Sequence, residues 1–337
     1  MTETTLRICF AGTGLLGRAI IRRLLECGFP VAVWNRSADK LAPLLEAGAE
    51  AAATPAELAR QADIVMTCVT DANAVEEIVF GPDGVASTGR VGQLLIDMSS
   101  IDPGATRAMA KRLAEDCRMG WVDAPISGGA PAAATGSMTV MVGASEKDFK
   151  AVAPIMDALA GRATRMGSVG AGQTTKLINQ VMVGCVGAIL AEATVLAQNG
   201  GVDAQRIPDA LAGGRADSRL LQEMMPKMAK PDFTPMGRNK NMVKDLEMVH
   251  DFAKATGTPM PVTALVTELH RQLVLEGLGD HCNSTFVTRC VKGWLRKGRR
   301  RVFRPRSRIP CRRGPCSRIT KPTTPTPSGW RRENPFR

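Results

Sequence analysis

An apolar strand that runs directly into a glycine-rich loop and a helix constrains this chain more than any other feature. Residues 6–11 are predicted as the strand, and apolar side chains spaced three and four apart predict a helix over residues 15–27. In the GxGxxG loop between them, the first glycine makes a tight turn, the second lets a pyrophosphate approach, and the third lets helix and strand pack. A glycine-rich turn without a ligand is the alternative. The residues predicted to bind a dinucleotide here are Gly12, Thr13, Gly14, Leu15, Leu16 and Gly17.

Short apolar runs alternate with helix-like segments through the first half of the chain. The strands are predicted over residues 6–11, 31–35, 64–69 and 94–97. One helix start is explicit, because Thr54 can accept a hydrogen bond from the next turn and Pro55 suits the first helical position. Alternation at this pitch is typical of βαβ units and a parallel sheet. Residues 1–168 are therefore predicted to form a Rossmann-type, doubly wound α/β domain that binds NAD or NADP.

The chain changes character near Gly170. Residues 173–199 form a long, mostly apolar segment with few helix breakers, and a helix that is apolar nearly all round must be buried. We expect it to be the spine of a second, all-α domain over residues 169–286. The same apolar length predicts a homo-oligomer, a dimer or a higher assembly, formed through this domain. Further helices are predicted over residues 204–212, 219–228, 240–256 and 263–275.

The last fifty residues have a composition unlike the rest. Residues 287–337 carry 17 lysines and arginines against one acid, a net charge of +16, whereas the remainder has a net charge of −4. This basic tail is rich in arginine and proline and lacks helical or strand periodicity, which predicts disorder. The abrupt change motivates the hypothesis that the tail is an out-of-frame translation. A shifted nucleotide frame near codons 282–290 that encodes a helical, acid-containing ending would support it.

Composition places the chain among soluble globular proteins, with 44% apolar and 23% charged residues. The longest candidate for a membrane span carries Glu192 in its middle, and the first strand leaves no room for a signal peptide. We therefore expect a cytoplasmic protein that does not associate with membranes. Because the cysteines lack metal-ligand spacing, no metal site is predicted. The mildly acidic body makes nucleic acid an unexpected partner.

The end of the second strand bears on which nicotinamide cofactor binds. NAD enzymes commonly place an acid there, whereas this chain continues with Asn35, Arg36 and Ser37. Arg36 can pair with a 2′-phosphate and its two neighbours can donate hydrogen bonds, so NADP is favoured. Asp39 is close enough to keep NAD as the alternative. Three more residues at strand ends are assigned to the cofactor: Val69, Thr70 and Ser100. Ser100 can instead contact the substrate or be a solvated turn serine.

Three further segments accompany the glycine loop in a fixed order. They are Asp97-Met98-Ser99-Ser100-Ile101-Asp102-Pro103, Asp123-Ala124-Pro125-Ile126-Ser127-Gly128-Gly129 and Gly170-Ala171-Gly172-Gln173-Thr174-Thr175-Lys176-Leu177-Ile178-Asn179-Gln180. Together the four blocks resemble the 3-hydroxyacid dehydrogenase family, which is similar in architecture to 6-phosphogluconate dehydrogenase. The resemblance covers residues 5–286. It implies an enzyme that interconverts a small 3-hydroxy acid and its semialdehyde with a nicotinamide cofactor.

Lys176 is the predicted catalytic residue. It precedes Asn179 by three positions on a predicted helix, so the two side chains share a face. Hydride transfer to a carbonyl leaves an alkoxide that needs a proton, and a lysine in a partly desolvated cleft can give or take it near working pH. A snorkelling surface lysine is the alternative. Asn179 is expected to orient the substrate, with Gln180 as a further candidate for substrate contact.

Two more segments complete the predicted site. Ser127, Gly128 and Gly129 offer a hydroxyl and unobstructed backbone N–H groups, which together suit a substrate carboxylate. A structural turn is the alternative there. Lys244, followed by an aspartate, resembles the family's late lysine–aspartate motif, and this resemblance assigns it to closing over the cofactor. An exposed helical ion pair is its alternative.

The resemblance also narrows the substrate. The pattern Lys-x-x-Asn-Gln at residues 176–180 looks most like tartronate semialdehyde reductases (2-hydroxy-3-oxopropionate reductases), whereas 3-hydroxyisobutyrate dehydrogenases more often read Lys-x-x-Asn-Asn. The expected product is glycerate, with 3-hydroxyisobutyrate as the alternative substrate. Cys282 departs from the family's acidic closing stretch, which puts the chain end in doubt. A non-catalytic protein with a nucleic-acid-binding tail is an alternative of another class, but it leaves Lys176 and Asn179 unexplained.

Overall fold

Parallel strands form the centre of the first half, as their continuous apolar sequences require. The computed structural model describes residues 6–234 and 237–295. The strands are β1 (Ile8–Ala11), β2 (Val31–Trp34), β3 (Glu50–Ala51), β4 (Ile64–Thr67), β5 (Leu94–Asp97), β6 (Gly120–Asp123), β7 (Ile126–Ser127), β8 (Met138–Gly143) and β9 (Ala160–Gly167). They lie in the order β3-β2-β1-β4-β5-β6-β8-β7, with β9 paired to β8. The first six are parallel, and β8 runs antiparallel to β6 and β7.

Both faces of this sheet are buried under helices. The helices of the first half are α1 (Leu15–Glu26), α2 (Ala42–Leu45), α3 (Pro55–Gln61), α4 (Ala72–Phe80), α5 (Pro103–Cys117), α6 (Gly129–Ala134), α7 (Glu146–Ala151) and α8 (Ala153–Leu159). Because side chains alternate along a strand, Ile8 and Phe10 enter one apolar core while Cys9 enters the other. The first core is completed by α1 and α8, and the second by α3, α4 and α5. The predicted doubly wound α/β fold is therefore confirmed.

Capping side chains set where several helices begin. The Thr54 hydroxyl accepts from the backbone N–H of Glu57 at 3.1 Å, so the predicted start of α3 is confirmed. The Glu57 carboxylate in turn accepts from the N–H of Ala53 at 2.7 Å. Asp102 caps α5 in the same way, accepting from the N–H of Ala105 at 2.7 Å. Each cap satisfies a donor that a helix start would otherwise leave unpaired.

The second half is helical, as the sequence predicts. Its helices are α9 (Ala171–Asn199), α10 (Ile207–Leu211), α11 (Arg219–Ala229), α12 (Asn239–Thr256), α13 (Pro261–Leu273) and α14 (Phe286–Leu295). The first is central, since α11, α12, α13 and α14 all pack against it. Ala191, Met225 and Leu246 are fully or almost fully buried in the core these helices share. Residues 6–295 belong to one compact unit, so the division into domains at residues 168 and 169 stays a prediction.

Burial of α9 differs from the prediction that it is covered on all sides. Ile178, Met182, Ile189 and Leu196 are 60%, 60%, 59% and 74% exposed. The four packed helices cover only part of the cylinder of α9, and these side chains recur every four to seven positions along the uncovered face. Among the described helices, α9 alone is long and apolar enough to cross a membrane by length and composition. Its packing is that of the central helix of a folded bundle.

The predicted beginning of the basic tail also differs from the structure. Residues 287–295, expected to be disordered, continue as part of α14. Phe286 and Val287 are 3% and 4% exposed in the helical core, and Cys290 packs against the same core. Apolar side chains at this spacing form one face of a helix, which burial against α9 stabilises. The rest of the predicted tail, residues 296–337, lies outside the described residues.

Candidate active site

A cavity of about 650 Å³ lies at the carboxyl ends of the parallel strands, between the sheet and the helical half. This edge is where open α/β sheets bind ligands. The predicted catalytic residue, Lys176, lines it, and so does Gly129 of the predicted substrate residues, whereas Ser127, Gly128, Asn179 and Gln180 do not. All thirteen residues predicted to bind the cofactor also line it: Gly12, Thr13, Gly14, Leu15, Leu16, Gly17, Asn35, Arg36, Ser37, Val69, Thr70, Ser100 and Lys244.

The three glycines of the loop are required for different reasons. Gly12 has φ +108°, a conformation that strongly favours glycine. A Cβ on Gly17 would lie 2.0 Å from the Gly12 carbonyl oxygen, so the start of α1 packs on the loop only without a side chain. A Cβ on Gly14 would meet no described atom within 4 Å. Space left open at Gly14 is space for a ligand rather than for packing.

The loop offers polar groups suited to a dinucleotide phosphate. The Thr13 hydroxyl is buried in the cavity wall and has no hydrogen-bond partner among the described residues. Helix α1 begins directly after Gly14, and residues 15–18 include no acid that would repel an anion. Unpaired N–H groups and the helix dipole favour negative charge at such a start. The residues present therefore fit a pyrophosphate at this loop.

The end of β2 joins the glycine loop and carries the basic side chain predicted to select NADP. The Asn35 amide oxygen accepts from the Thr13 N–H at 3.2 Å, and its nitrogen donates to the Ser37 carbonyl at 2.9 Å. Asn35 thus fixes the loop. Arg36 has an 83% exposed side chain and lies 3.9 Å from the carboxylate of Glu77, a weak surface pair that leaves its guanidinium available.

Lys176 lies on α9 and has its amino group buried at the cavity wall. Its Nζ donates to the Ile126 carbonyl at 2.8 Å and to the Gln180 amide oxygen at 3.1 Å. Burial lowers the pKa of Lys176 from 10.5 to about 8, with the carboxylate of Asp245 opposing and the ammonium of Lys244 adding to that decrease. A lysine with this pKa can give or take a proton near neutral pH. Its burial does not agree with the alternative of a snorkelling surface lysine.

A buried aspartate anchors the start of α9. Asp123, at the end of β6, accepts from the N–H groups of Gly170 and Gln173 at 2.7 and 2.8 Å. Burial raises the pKa of Asp123 to about 6, and those two hydrogen bonds partly offset the increase. Gln173 then exchanges hydrogen bonds with the backbone of Ser99 and Ile101 at 2.8 and 3.2 Å. These contacts fix the first turn of α9, and with it Lys176, against the ends of β5 and β6.

The lysine–aspartate pair of α12 reaches across to the sheet. Lys244 Nζ donates to the carbonyls of Thr70 and Ser100, each at 2.9 Å, and lies 3.2 Å from the Asp245 carboxylate. Thr70 and Ser100 follow β4 and β5, so Lys244 connects the helical half to the edge where the cofactor residues lie. Its contacts are therefore not confined to α12, and its predicted role toward the cofactor stays a prediction.

The remaining predicted substrate residues follow Ile126, whose carbonyl accepts from Lys176, or lie near Lys176 on α9. Ser127 ends β7, and Gly128 adopts φ +113° before α6 begins at Gly129. Gly129 lines the cavity beside Lys176. Asn179 is half-buried and donates to the Gln180 amide oxygen at 2.8 Å. The roles of these side chains toward substrate stay predictions.

Several residues at the site were not singled out by the sequence. Arg238, Lys240 and Asn241, at the start of α12, line the cofactor cavity. Asp123 and Gln173 lie inside segments that the sequence did single out, but their anchoring role depends on contacts between residues about fifty positions apart. An acid directly after a predicted strand was the available signal for Asp123. The start of α12 offered none, because it lies far from the sheet in sequence.

The glycine loop and a buried lysine of lowered pKa line one cavity, which is the arrangement of a nicotinamide-dependent dehydrogenase. The profile of the NAD binding domain of 6-phosphogluconate dehydrogenase matches residues 7–168, and that of the NAD-binding domain of NADP-dependent 3-hydroxyisobutyrate dehydrogenase matches residues 170–289. This chain belongs to the 3-hydroxyacid dehydrogenase family and is an NAD(P)-dependent oxidoreductase.

Individual relatives agree with this assignment. L-threonate dehydrogenase of Cupriavidus necator is 33% identical over 277 residues, 82% of this chain and 93% of that protein. The 2-hydroxy-3-oxopropionate reductase of Escherichia coli is 33% identical over 286 residues, 84% of this chain and 96% of that protein. The crystal structure of 3-hydroxyisobutyrate dehydrogenase from Salmonella typhimurium has a TM-score of 0.75 and 30% identity, covering 84% of this chain and 99% of that one.

Proposed function

We propose that this enzyme reduces tartronate semialdehyde to glycerate with NADPH and catalyses the reverse reaction on the same small 3-hydroxy acid. Lys176 carries the proposal, because its buried amino group at the wall of the cofactor cavity can donate the proton that reduction of a carbonyl needs. The Lys-x-x-Asn-Gln spacing at residues 176–180 and the similarity to the Escherichia coli reductase support this substrate. The match to the 3-hydroxyisobutyrate dehydrogenase profile supports 3-hydroxyisobutyrate as the alternative.

Lys176 is the acid and the base of the proposed reaction. When bound, the nicotinamide supplies the hydride in one direction and accepts it in the other. In reduction, the Lys176 ammonium donates a proton to the substrate oxygen as negative charge develops there, and its positive charge stabilises that oxygen. In oxidation, the neutral amine takes the proton of the substrate hydroxyl.

Two hydrogen bonds to the protein set the direction in which the Lys176 nitrogen can contact the substrate. Among the described residues, Ile126 and Gln180 supply the two acceptors that contact Nζ. An ammonium has three N–H groups, so one remains for the substrate oxygen. The neutral amine keeps both protein hydrogen bonds and presents its lone pair in that same direction. Proton transfer therefore requires no rearrangement of the lysine.

The segment after β7 is assigned to the substrate carboxylate. The Ser127 hydroxyl and the backbone N–H groups of Gly128 and Gly129 are donors at the turn into α6, where no Cβ of these glycines obstructs an anion. Asn179, one turn along α9 from Lys176, is assigned to the substrate hydroxyl. A carboxylate held at one end and a carbonyl at the other suit a short 3-oxo acid.

The enzyme's rate should depend on pH through Lys176. Because the pKa of Lys176 is about 8, we expect kcat/KM for reduction to fall as pH rises through that value, since the ammonium is lost. Oxidation should rise through the same pH, since the amine is formed. Initial rates in both directions between about pH 6 and pH 10 measure this. Two profiles that are flat, or that change in the same direction, would contradict Lys176 as the proton donor and acceptor.

Arg36 should set the preference for NADPH. Replacing Arg36 with alanine removes a guanidinium that can pair with the 2′-phosphate, so the dissociation constant for NADPH should rise about 10- to 100-fold. Affinity for NADH should change by less than about two-fold, because NADH lacks that phosphate. Isothermal titration calorimetry measures both, with Arg60→Ala, an exposed arginine on α3, as the matched control. An equal loss of both affinities would mean that Arg36 contacts a part common to both cofactors and does not select NADPH.

A homo-oligomer in the cytoplasm is the form we propose for the enzyme. The exposed apolar face of α9, marked by Ile178, Met182, Ile189 and Leu196, supports this proposal, because contiguous exposed apolar side chains mark interaction surfaces. A second copy of the chain supplies a face of the same kind, as a twofold interface requires. The molar mass in solution, measured by light scattering, tests this.

A further inference from the structure

Gln180 has its amide engaged at both ends. Its oxygen accepts from Lys176 Nζ at 3.1 Å and from the Asn179 amide at 2.8 Å, and its nitrogen donates to the Asp245 carboxylate at 2.6 Å. The residue is only 8% exposed, and Asp245 is 6% exposed. An amide oxygen has two lone pairs, and both are used here by protein donors. The Gln180 oxygen therefore serves Lys176 and Asn179 and has no lone pair left for substrate.

Charge fixes which way the Gln180 amide points. The Lys176 ammonium only donates hydrogen bonds, and the Asp245 carboxylate only accepts them. The amide oxygen must therefore face Lys176 and the amide nitrogen must face Asp245. The reverse orientation would set N–H against N–H at one end and oxygen against oxygen at the other. By accepting from the Gln180 nitrogen, Asp245 orients the Gln180 oxygen toward Lys176 as a hydrogen-bond acceptor.

The Asp245 carboxylate also lies next to a cation. Its second oxygen lies 3.2 Å from Lys244 Nζ, which donates to the carbonyls of Thr70 and Ser100. That Asp245 oxygen has no hydrogen-bond partner among the described residues, so its contact with Lys244 is an ion pair only. A connected set of contacts therefore leads from the ends of β4 and β5, through α12, to the amino group on α9.

We infer that Asp245 and Gln180 are positioning residues that hold the Lys176 amino group toward the substrate oxygen. This inference rests on the proposed role of Lys176 as acid and base. A lysine side chain has four rotatable bonds, and a single hydrogen bond to the Ile126 carbonyl leaves the direction of its remaining N–H groups free. The Gln180 oxygen supplies the second contact and so fixes that direction. The sequence prediction that Gln180 contacts the substrate is the alternative that the kinetics below test.

Kinetics of Gln180→Met, Asp245→Ala and the double variant test the inference. Methionine matches the length of glutamine without its hydrogen bonds. Each single variant should lower kcat about ten-fold with KM changed less than about two-fold, since a positioning hydrogen bond is lost and substrate contacts are kept. The double variant should be no slower than the slower single variant, because both changes break one connection. Asp245→Asn, which keeps an acceptor for Gln180, should stay within about three-fold of the wild type.

Three results would overturn the inference. A double variant about 100-fold slower than the wild type would mean that Asp245 and Gln180 act independently. A raised KM at unchanged kcat in Gln180→Met would assign Gln180 to substrate contact. An Asp245→Asn variant as slow as Asp245→Ala would mean that only the charge of Asp245 matters. Asp251→Ala removes an exposed acid from the same helix α12 and should leave both constants unchanged.

A second readout separates failure of this inference from failure of the proposed function. If the wild type turns over no 3-oxo acid, the proposed function fails, and NMR of 15N-labelled lysine then tests the positioning alone. The buried Lys176 ammonium, assigned by its loss in Lys176→Arg, should exchange slowly enough to be observed in the wild type. Its signal should be lost in Gln180→Met and Asp245→Ala and kept in Asp251→Ala. A signal kept in all variants would contradict the inference.

Discussion

Replacing Lys176 with alanine should lower kcat by about 10³-fold, the largest effect we expect from any single substitution. The loss has two parts, proton transfer and the positive charge next to the developing oxyanion. Lys176→Arg separates them, because arginine keeps the charge but does not release its proton near neutral pH. We expect Lys176→Arg to be nearly as slow as Lys176→Ala. Steady-state rates with NADPH and tartronate semialdehyde measure both variants.

Cofactor binding should survive the loss of Lys176. The glycine loop and the end of β2 are separate from α9, so the affinity for NADPH should change by less than about three-fold. Lys254→Ala, an exposed lysine on α12, is the matched control and should keep full activity. A Lys176→Ala enzyme within about ten-fold of the wild type would contradict the catalytic assignment. A loss of NADPH binding in proportion to activity would instead make Lys176 a cofactor contact.

Replacing Gly17 with alanine should lower the stability of the fold, whereas replacing Gly14 with alanine should leave it nearly unchanged. At Gly17 the new Cβ would lie 2.0 Å from the Gly12 carbonyl oxygen and 3.3 Å from Phe10, with backbone that cannot move aside without separating α1 from the sheet. We expect a cost of about 3 kcal/mol or more, a decrease in Tm of roughly 10 °C. At Gly14 the Cβ has open space and the backbone, with φ −66° and ψ −176°, suits alanine. Its Tm without cofactor should change by less than about 3 °C.

The Gly14 variant should fail only when the cofactor is added. Its methyl group would occupy the space that a pyrophosphate needs, so the affinity for NADPH should fall about 100-fold. Thermal unfolding with and without NADPH measures both effects, because a ligand that binds the folded state raises Tm. Normal stabilisation of Gly14→Ala by NADPH would mean that the loop does not hold the cofactor. A Gly17→Ala variant as stable as the wild type would contradict the packing described here.

Features encoded over short stretches of sequence were predictable. The strand, loop and first helix around Gly12–Gly17 depend on neighbours within about twenty positions, and the structure confirms them. The Thr54 cap and the helical second half are of the same kind. Lys176 was found because the residues around it resemble a family, and its burial could then be expected from the apolar helix that carries it.

Features that depend on long-range contacts were not predictable. The Asp123 carboxylate meets the start of α9 across fifty positions, and Asp245 meets Gln180 across sixty-five. No local pattern marks either pair. The uncovered face of α9 was not predictable for the same reason. An apolar sequence does not indicate how many helices of the same chain pack against it. Helix α14 was also not predictable, because its apolar face is stabilised by packing on α9, which lies far away in sequence.

The rate of nicotinamide oxidation with small 3-oxo acids tests the central claim most directly. Purified enzyme is mixed with NADPH or NADH and either tartronate semialdehyde or methylmalonate semialdehyde, and the hydroxy acid formed is identified by mass spectrometry. We predict turnover of tartronate semialdehyde to glycerate, faster with NADPH than with NADH. Faster turnover of methylmalonate semialdehyde would select 3-hydroxyisobutyrate as the product and leave the mechanism unchanged. No turnover of either substrate by enzyme that binds NADPH would contradict the proposed function.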